Sequence, residues 1–299
     1  MDLLTQRRIS GRTRVVGVMG WPVSHSLSPA MHNAALLAAG LDAVYIPYAV
    51  KPEELASAVR GLRALGFVGS NVTIPHKVAI AALMDALTPE ARIIGAVNTV
   101  RVEGDGSLTG HNTDCLGAVR AMELDGCRLK GSSVAILGAG GAGRAVAMGC
   151  AFAGAARVFL LNRTLERAQE VARELAGHGD GLGATEWVPG SLDDARSAAG
   201  LPWSEIDAVL QMTSLGMKPD DPMPAHVEFL RGDCHVLEAV YSPLETKFLA
   251  AARSKGLPTT DGLAMLLEQG AISYEFWFGQ APDRPVMRQA LELARQGRP

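Results

Sequence analysis

The sequence predicts an α/β protein of two α/β domains flanking a cleft, and three observations lead there. Short β-branched runs alternate with helical patterns through the first third of the chain. A fresh strand-helix-strand series begins near residue 133. Within it a glycine-rich turn, Gly138-Ala139-Gly140-Gly141-Ala142-Gly143, joins a strand to a helix. The 299 residues suit about two domains, and an apolar fraction of 48% is ample for two buried cores.

The first series reads as strand 14–19, helix 28–39, strand 43–50, helix 52–65, strand 67–74 and helix 77–84. Ser28 before Pro29 fits an N-cap followed by proline at the first helical position. Lys51-Pro52-Glu53-Glu54 sets carboxylates in a first turn, where the helix dipole favours them. A hairpin follows, with strands at 96–102 and 107–111 about the turn Glu103-Gly104-Asp105-Gly106, and delivers Asp114 to the end of the first domain.

A helix over 116–123 then leads into strand 133–137, the glycine turn, helix 142–152, strand 157–161 and helix 165–175. Residues 177–183, rich in glycine, read as a flexible loop, and 206–211 and 235–241 as further parallel strands. The tail carries helical patterns over 263–278 and 286–295 with no strand after them, so these helices are expected to pack back on the first domain. The expected boundaries are 1–114 plus 262–299 for a substrate-binding catalytic domain and 115–261 for a Rossmann-type dinucleotide domain. The chain would cross between them near 114–116 and 260–262.

Charge and composition exclude several function classes. A net charge of -3, a pI near 6.2 and the lack of any lysine or arginine run argue against a nucleic-acid surface or a membrane-binding basic patch, leaving a small molecule as the expected partner. Cys115, Cys127, Cys150 and Cys234 form no CxxC pair and have no histidine cluster beside them, which reads as buried, reduced thiols without a metal. The polar first residues and the absence of a long apolar run point to a cytoplasmic protein. A homodimer is one assembly open to such a chain.

The glycine turn carries the first piece of chemistry. Glycines there allow a tight turn and close approach of backbone to a pyrophosphate, which the N–H groups of the following helix would face. An NAD-specific site would place an acid at the end of the next strand. This chain has Asn162-Arg163-Thr164 there and Arg167 one turn on, with no acid read nearby, and a guanidinium with neutral hydrogen-bonding neighbours suits the 2'-phosphate of NADP. The plainer reading makes both arginines solvated charges at a helix start.

Asn71-Val72-Thr73-Ile74-Pro75-His76-Lys77 sets a lysine past an extended, proline-stopped segment, and Gly110-His111-Asn112-Thr113-Asp114 sets a carboxylate in a polar turn. Singly, Lys77 reads as a surface charge and Asp114 as a helix cap. Together they suit alcohol-ketone interconversion, in which a proton leaves the hydroxyl as hydride leaves the same carbon. Ser26 and Ser28, near a helix N-terminus, could grip a carboxylate, whereas His25 reads as structural.

At these residues the sequence resembles the shikimate dehydrogenase family nearly end to end. The resemblance rests on Ser-His-Ser-Leu-Ser-Pro at 24–29, Asn-Val-Thr-Ile-Pro-His-Lys at 71–77, Gly-Ala-Val-Asn-Thr at 95–99 and Asn-Thr-Asp at 112–114. It continues through the glycine turn, Asn-Arg-Thr at 162–164, Thr-Ser-Leu-Gly-Met at 213–217, Tyr-Ser-Pro at 241–243 and Asp-Gly-Leu-Ala-Met-Leu at 261–266. What it implies is reversible NADP-dependent reduction of 3-dehydroshikimate to shikimate, with Lys77 and Asp114 as the catalytic pair. Ser26 and Ser28 would hold the substrate carboxylate, Thr73, Asn98 and Gln269 its hydroxyls, and Tyr241 would line the pocket. The cofactor would meet Gly138, Ala139, Gly140, Gly141, Ala142, Gly143, Asn162, Arg163, Thr164, Arg167, Thr213, Gly262 and Met265. The family more often has asparagine or alanine near Gln211, aspartate at Glu238 and glycine at Cys115. A quinate or aminoshikimate paralogue and a non-catalytic NADP-binding regulator are the alternatives.

Overall fold

A computed structural model describes residues 9–178, 184–243 and 245–296, and the loop expected over 177–183 lies largely outside them. In chain order the first segment forms β1 (Arg14–Gly20), α1 (Ser28–Ala38), β2 (Ala43–Ala49), α2 (Leu55–Ala64), β3 (Gly69–Val72), β4 (Ala86–Leu87), α3 (Pro89–Ile94), β5 (Thr99–Val102) and β6 (Leu108–His111). The middle forms α4 (Asp114–Leu124), β7 (Ser133–Leu137), α5 (Gly141–Phe152), β8 (Arg157–Asn162), α6 (Leu165–Ala176), β9 (Glu186–Ser191), β10 (Ala208–Gln211), β11 (His235–Glu238), α7 (Lys247–Ser254) and β12 (Thr259–Thr260). Two helices close the chain, α8 (Gly262–Phe278) and α9 (Arg284–Gln296).

Two compact units emerge, Met1–Thr113 with Gly270–Pro299, and Asp114–Gln269. The second change of unit falls inside α8 and not near 260–262. The first turns of α8 lie against α4, with Gly117 in close contact with the Gln269 backbone and Arg120 Nε 3.3 Å from Glu268 Oε2.

The first unit holds a mixed six-stranded sheet in the order β2-β1-β3-β5-β6-β4. β1 runs parallel to β2 and β3, whereas β5 is antiparallel to both β3 and β6. This pattern brings the ends of β1, β3 and β6 and the start of β5 to one edge of the sheet. Met19, Val59, Leu62, Val72, Val97, Val100 and Leu108 pack in its core. The tail helices dock here: Trp277 lies against Gly69, where a side chain would clash, and donates its indole N–H to Val100 O at 2.9 Å.

Two local expectations fail in this unit. Ser28 is the first residue of α1 and not its N-cap; Leu27 takes that place, and no side chain caps the helix. The helix expected over 77–84 is a single 3-10 turn, Ala79–Leu83, because Met84 is extended and turns the chain into β4. Its apolar residues do not form a buried stripe either, since Val78 is exposed and Ile80 buried.

The second unit holds an all-parallel sheet in the order β12-β11-β10-β7-β8-β9. Counted from β7, this is the doubly wound 6-5-4-1-2-3 arrangement, whose ligand crevice opens where strand order reverses, between β7 and β10. β7 is buried over nearly its whole length, as a strand covered on both faces must be. Burial pushes the Cys127 thiol up to about 11 and the Cys234 thiol to about 12, so both stay protonated near neutrality. No helix among the described residues is long and apolar enough to cross a membrane.

His32 is a liability at low pH. It is wholly buried in α1, stacked on Tyr45 with centroids 4.4 Å apart, and neither ring nitrogen has a hydrogen-bond partner among the described residues. Burial lowers its pKa from 6.5 to about 3, so its contribution to stability is full above pH 6.5 and is lost as pH falls towards 3. Between about pH 7.5 and 4.5 the wild type should lose roughly 3 kcal/mol through this group. Urea unfolding of His32→Phe at both pH values should lack that part of the loss; an equal acid sensitivity would refute the assignment.

Candidate active site

The edge of the first unit that carries Lys77 is assembled by hydrogen bonds between strand ends. Thr73 N donates to Met19 O at 2.9 Å and Val72 N to Asn98 O at 2.8 Å, so the segment leading to Lys77 is tied to β1 and to the start of β5. Lys77 O accepts from Val97 N at 2.7 Å, which sets the lysine backbone beside Asn98. His76 is buried, and its Nε2 lies 2.7 Å from Val50 O; since that carbonyl only accepts, Nε2 carries the proton. Lys77 itself is half-buried in the turn after Pro75, between the exposed Ile74 and Val78.

Asn98 is buried, and its amide has one orientation. Its Oδ1 accepts from Thr113 N at 2.8 Å and from Thr99 Oγ1 at 3.0 Å, while Nδ2 donates to Thr113 Oγ1 at 3.0 Å. Because a backbone N–H can only donate, the oxygen is fixed and so is the side of the amide on which Nδ2 lies. Behind this bracket lies a buried network that sequence reasoning missed. Tyr45 Oη donates to Asn71 Oδ1 at 2.7 Å, and Asn71 Nδ2 reaches Thr99 Oγ1 and Ser273 Oγ, each at 3.0 Å. Asn71 and Thr99 lie in strings already read; Ser273, the lone serine of a largely apolar helix, gives no sequence signal.

Of the other residues singled out in the first unit, Ser28 is buried and Ser26 and Thr73 half-buried. Ser26 Oγ accepts from Ser28 N at 3.3 Å, so the hydroxyl sits where the start of α1 directs its N–H groups. Asp114, Tyr241 and Gln269 belong to the second unit. Asp114 is buried in the first turn of α4 directly after Thr113, and Gln269 Nε2 donates to Leu266 O at 2.8 Å.

The second unit builds a cradle at its strand reversal. Gly138 has φ +109°, and a Cβ there would press on Met212 and Thr213. A Cβ at Gly143 would overlap the Gly138 carbonyl, so only glycine lets α5 start this close to β7. Gly140, Gly141 and Ala142 are exposed, and no side chain caps α5, so its first N–H groups can receive an anion. These features fit a dinucleotide pyrophosphate. Asn162 Oδ1 accepts from Ala139 N at 3.2 Å and Nδ2 donates to Thr164 O at 3.0 Å, joining the glycine turn to the end of β8. Arg163 is exposed and makes no ion pair among the described residues, whereas Arg167 is held by Glu170 at 2.5 Å. Acids do stand near this strand end, contrary to the expectation: Glu166 lies in the first turn of α6 and Glu170 one turn further along. Thr213 is half-buried opposite Gly138, and Gly262 meets the carbonyls of Ala239 and Val240 where a side chain would not fit, with Met265 half-buried in the next turn.

A parallel sheet with a glycine turn at its reversal in the second unit, and a lysine turn with an oriented amide in the first, define a dinucleotide-dependent oxidoreductase. Family profiles match three stretches: shikimate dehydrogenase substrate binding domain over residues 18–100, shikimate / quinate 5-dehydrogenase over 120–182 and shikimate 5'-dehydrogenase C-terminal domain over 262–292. A shikimate dehydrogenase (NADP(+)) of Symbiobacterium thermophilum is 45% identical over 300 residues, covering 99% of this chain and 100% of the relative. A crystal structure of a shikimate dehydrogenase in complex with NADP+ is similar with TM-score 0.86 at 38% identity, covering 96% of this chain and 97% of that one. A ligand-free 5-ketofructose reductase of Gluconobacter sp. strain CHM43 also reaches 0.86, at 36% identity, covering 95% and 100%. The chain belongs to the shikimate dehydrogenase family.

Glu238, at the end of β11, is fully buried and accepts from Val240 N at 2.9 Å and Thr246 Oγ1 at 2.7 Å. Desolvation by burial raises its pKa from 4.5 to about 7, only partly opposed by these two donors. A carboxyl raised in this way contributes stability that is complete below pH 4.5 and is lost as pH rises through 7. Glu238→Gln should therefore remove a pH-dependent loss of roughly 3 kcal/mol between about pH 4.5 and 8, read as the difference between wild-type and variant urea curves. Parallel pH profiles for the two proteins would show that the carboxyl ionises freely.

Proposed function

We propose that the protein is an NADP-dependent shikimate dehydrogenase, reducing 3-dehydroshikimate reversibly to shikimate in the biosynthesis of chorismate and the aromatic amino acids. The observation that carries this reading is that both units, and not the dinucleotide unit alone, align with a relative named for that activity. The first unit is proposed as the substrate-binding domain and the second as the NADP domain.

The chemistry asked of the residues is proton transfer and orientation. NADPH, when bound, supplies a hydride to the carbonyl carbon. Lys77 supplies the proton that the carbonyl oxygen takes up, and in the oxidative direction removes it from the hydroxyl. Asp114 orients the ammonium and the neighbouring hydroxyl. Asn98 presents Nδ2 to a second hydroxyl, an assignment supported by the bracket from Thr113 and Thr99. Thr73 and Gln269 take further hydroxyls, Tyr241 lines the pocket, and Ser26 and Ser28 hold the carboxylate near the start of α1. For the cofactor, Arg163, exposed at the end of β8, is the guanidinium for the 2'-phosphate, with Arg167 one turn on beside it in an exposed pair with Glu170.

The direct test is nicotinamide absorbance with shikimate and quinate each crossed against NADP and NAD. Fast turnover confined to shikimate with NADP is expected; preference for quinate or NAD, or no turnover, would overturn the reading. Lys77→Ala should lower turnover by about two to four powers of ten with NADP affinity nearly unchanged, and a variant as fast as wild type would remove Lys77 from the mechanism. Arg163→Ala should raise the KM for NADP by about tenfold and leave that for NAD alone, whereas equal effects on both would exclude a 2'-phosphate contact.

A further inference from the structure

Gln211 is the last residue of β10 and lies at the strand reversal, in register with Leu137 of β7 on one side and Glu238 of β11 on the other. It is fully buried. A buried amide offers two acceptor sites and two donors, and each of the four is engaged by the loop that follows. Oε1 accepts from Thr213 N and Thr213 Oγ1, both at 2.8 Å, while Nε2 donates to Leu215 O at 2.7 Å and to Thr213 O at 3.4 Å. Thr213 Oγ1 in turn accepts from Leu215 N at 3.0 Å. The amide thus acts as a template around which residues 213–215 fold, and an obligate donor and an obligate acceptor fix its orientation.

The same loop forms one wall of the cofactor cradle. Thr213 Cγ2 lies 3.0 Å, and Met212 O 3.2 Å, from where a Cβ of Gly138 would stand, so the first turn of the glycine loop rests directly on it. Its far end is fastened as well: Gly216, with φ +97°, packs on Thr246, whose hydroxyl donates to Glu238 Oε2 at 2.7 Å. Buried side chains at two adjacent strand ends therefore hold both ends of the segment.

We propose that Gln211 is a positioning residue for the dinucleotide, setting through the Thr213–Leu215 turn the wall against which the glycine loop and the bound cofactor lie. The proposal rests on the NADP-dependent reading above and adds a residue to it. Gln211 need not touch the cofactor; its effect is on how much of the binding geometry exists before the cofactor arrives.

The test compares wild type with Gln211→Met, which keeps the length of the side chain and removes its hydrogen bonds. The Kd for NADPH, read by nicotinamide fluorescence, should rise by about tenfold, with the KM for shikimate within about twofold of wild type. A change spread equally over both ligands would indicate general damage and overturn the specific role, as would an unchanged Kd in the folded variant. Wild-type protein that fails to bind NADPH would instead defeat the functional reading itself. Should the methionine variant not fold, Gln211→Glu keeps the shape of the side chain but cannot make both donations to Leu215 O and Thr213 O, and the Kd for NADPH should rise severalfold with the same split; a glutamate variant binding as tightly as wild type would refute the proposal.

Discussion

Where a strand ends, its backbone groups lose their neighbours, and in both units of this protein side-chain amides take over there. Asn98 does so for the chain entering α4, Asn162 for the glycine turn and Gln211 for the loop after β10, each accepting a backbone N–H within 3.2 Å. A buried N–H without a partner costs about 1–3 kcal/mol, so these bonds are required more than they are stabilising. Their consequence is that loops at functional edges, which would otherwise be loosely held, adopt defined conformations without a ligand.

The two units solve the same problem with different topologies. In the first, antiparallel β5 and β6 return the chain so that the ends of β1, β3 and β6 meet the start of β5. That edge gathers Thr73, Lys77, Asn98 and Thr113 from parts of the sequence far apart. In the second, an all-parallel sheet opens at its reversal, and glycines at 138 and 143 let the helix start press close to the strand. Glu238 is the outlier among the strand-end groups, since a carboxylate pays a desolvation cost that an amide avoids.

Much of this was legible in the sequence because the signals were local. The central strands are continuous apolar runs, the glycine turn has a fixed spacing, and the hairpin at 103–106 carries its turn residues in order. β9 escaped because it is an edge strand with Pro189 and Gly190 inside it and no residue fully buried. α3 and α7 were passed over although both carry readable caps: Thr88 with Pro89 and a terminal Gly95 at φ +69° for one, Thr246 accepting from Leu249 N for the other. Ser28 was misplaced because proline at the second helical position gives nearly the same local signal as proline at the first. The network through Asn71, Thr99 and Ser273 could not have been read at all, since Ser273 arrives from a helix about two hundred residues away along the chain.

The claim that strand-end side chains preform the site is tested most directly by amide hydrogen exchange on the ligand-free protein, followed residue by residue by NMR. The amides to watch are Thr113, Ala139, Thr213 and Val240, each donating to an Asn, Gln or Glu side-chain oxygen. Protection comparable to that of the adjoining strands is the predicted result. Exchange at the rate of an open loop, with protection appearing only when NADPH is added, would mean that the ligand organises the site and that these side chains merely follow.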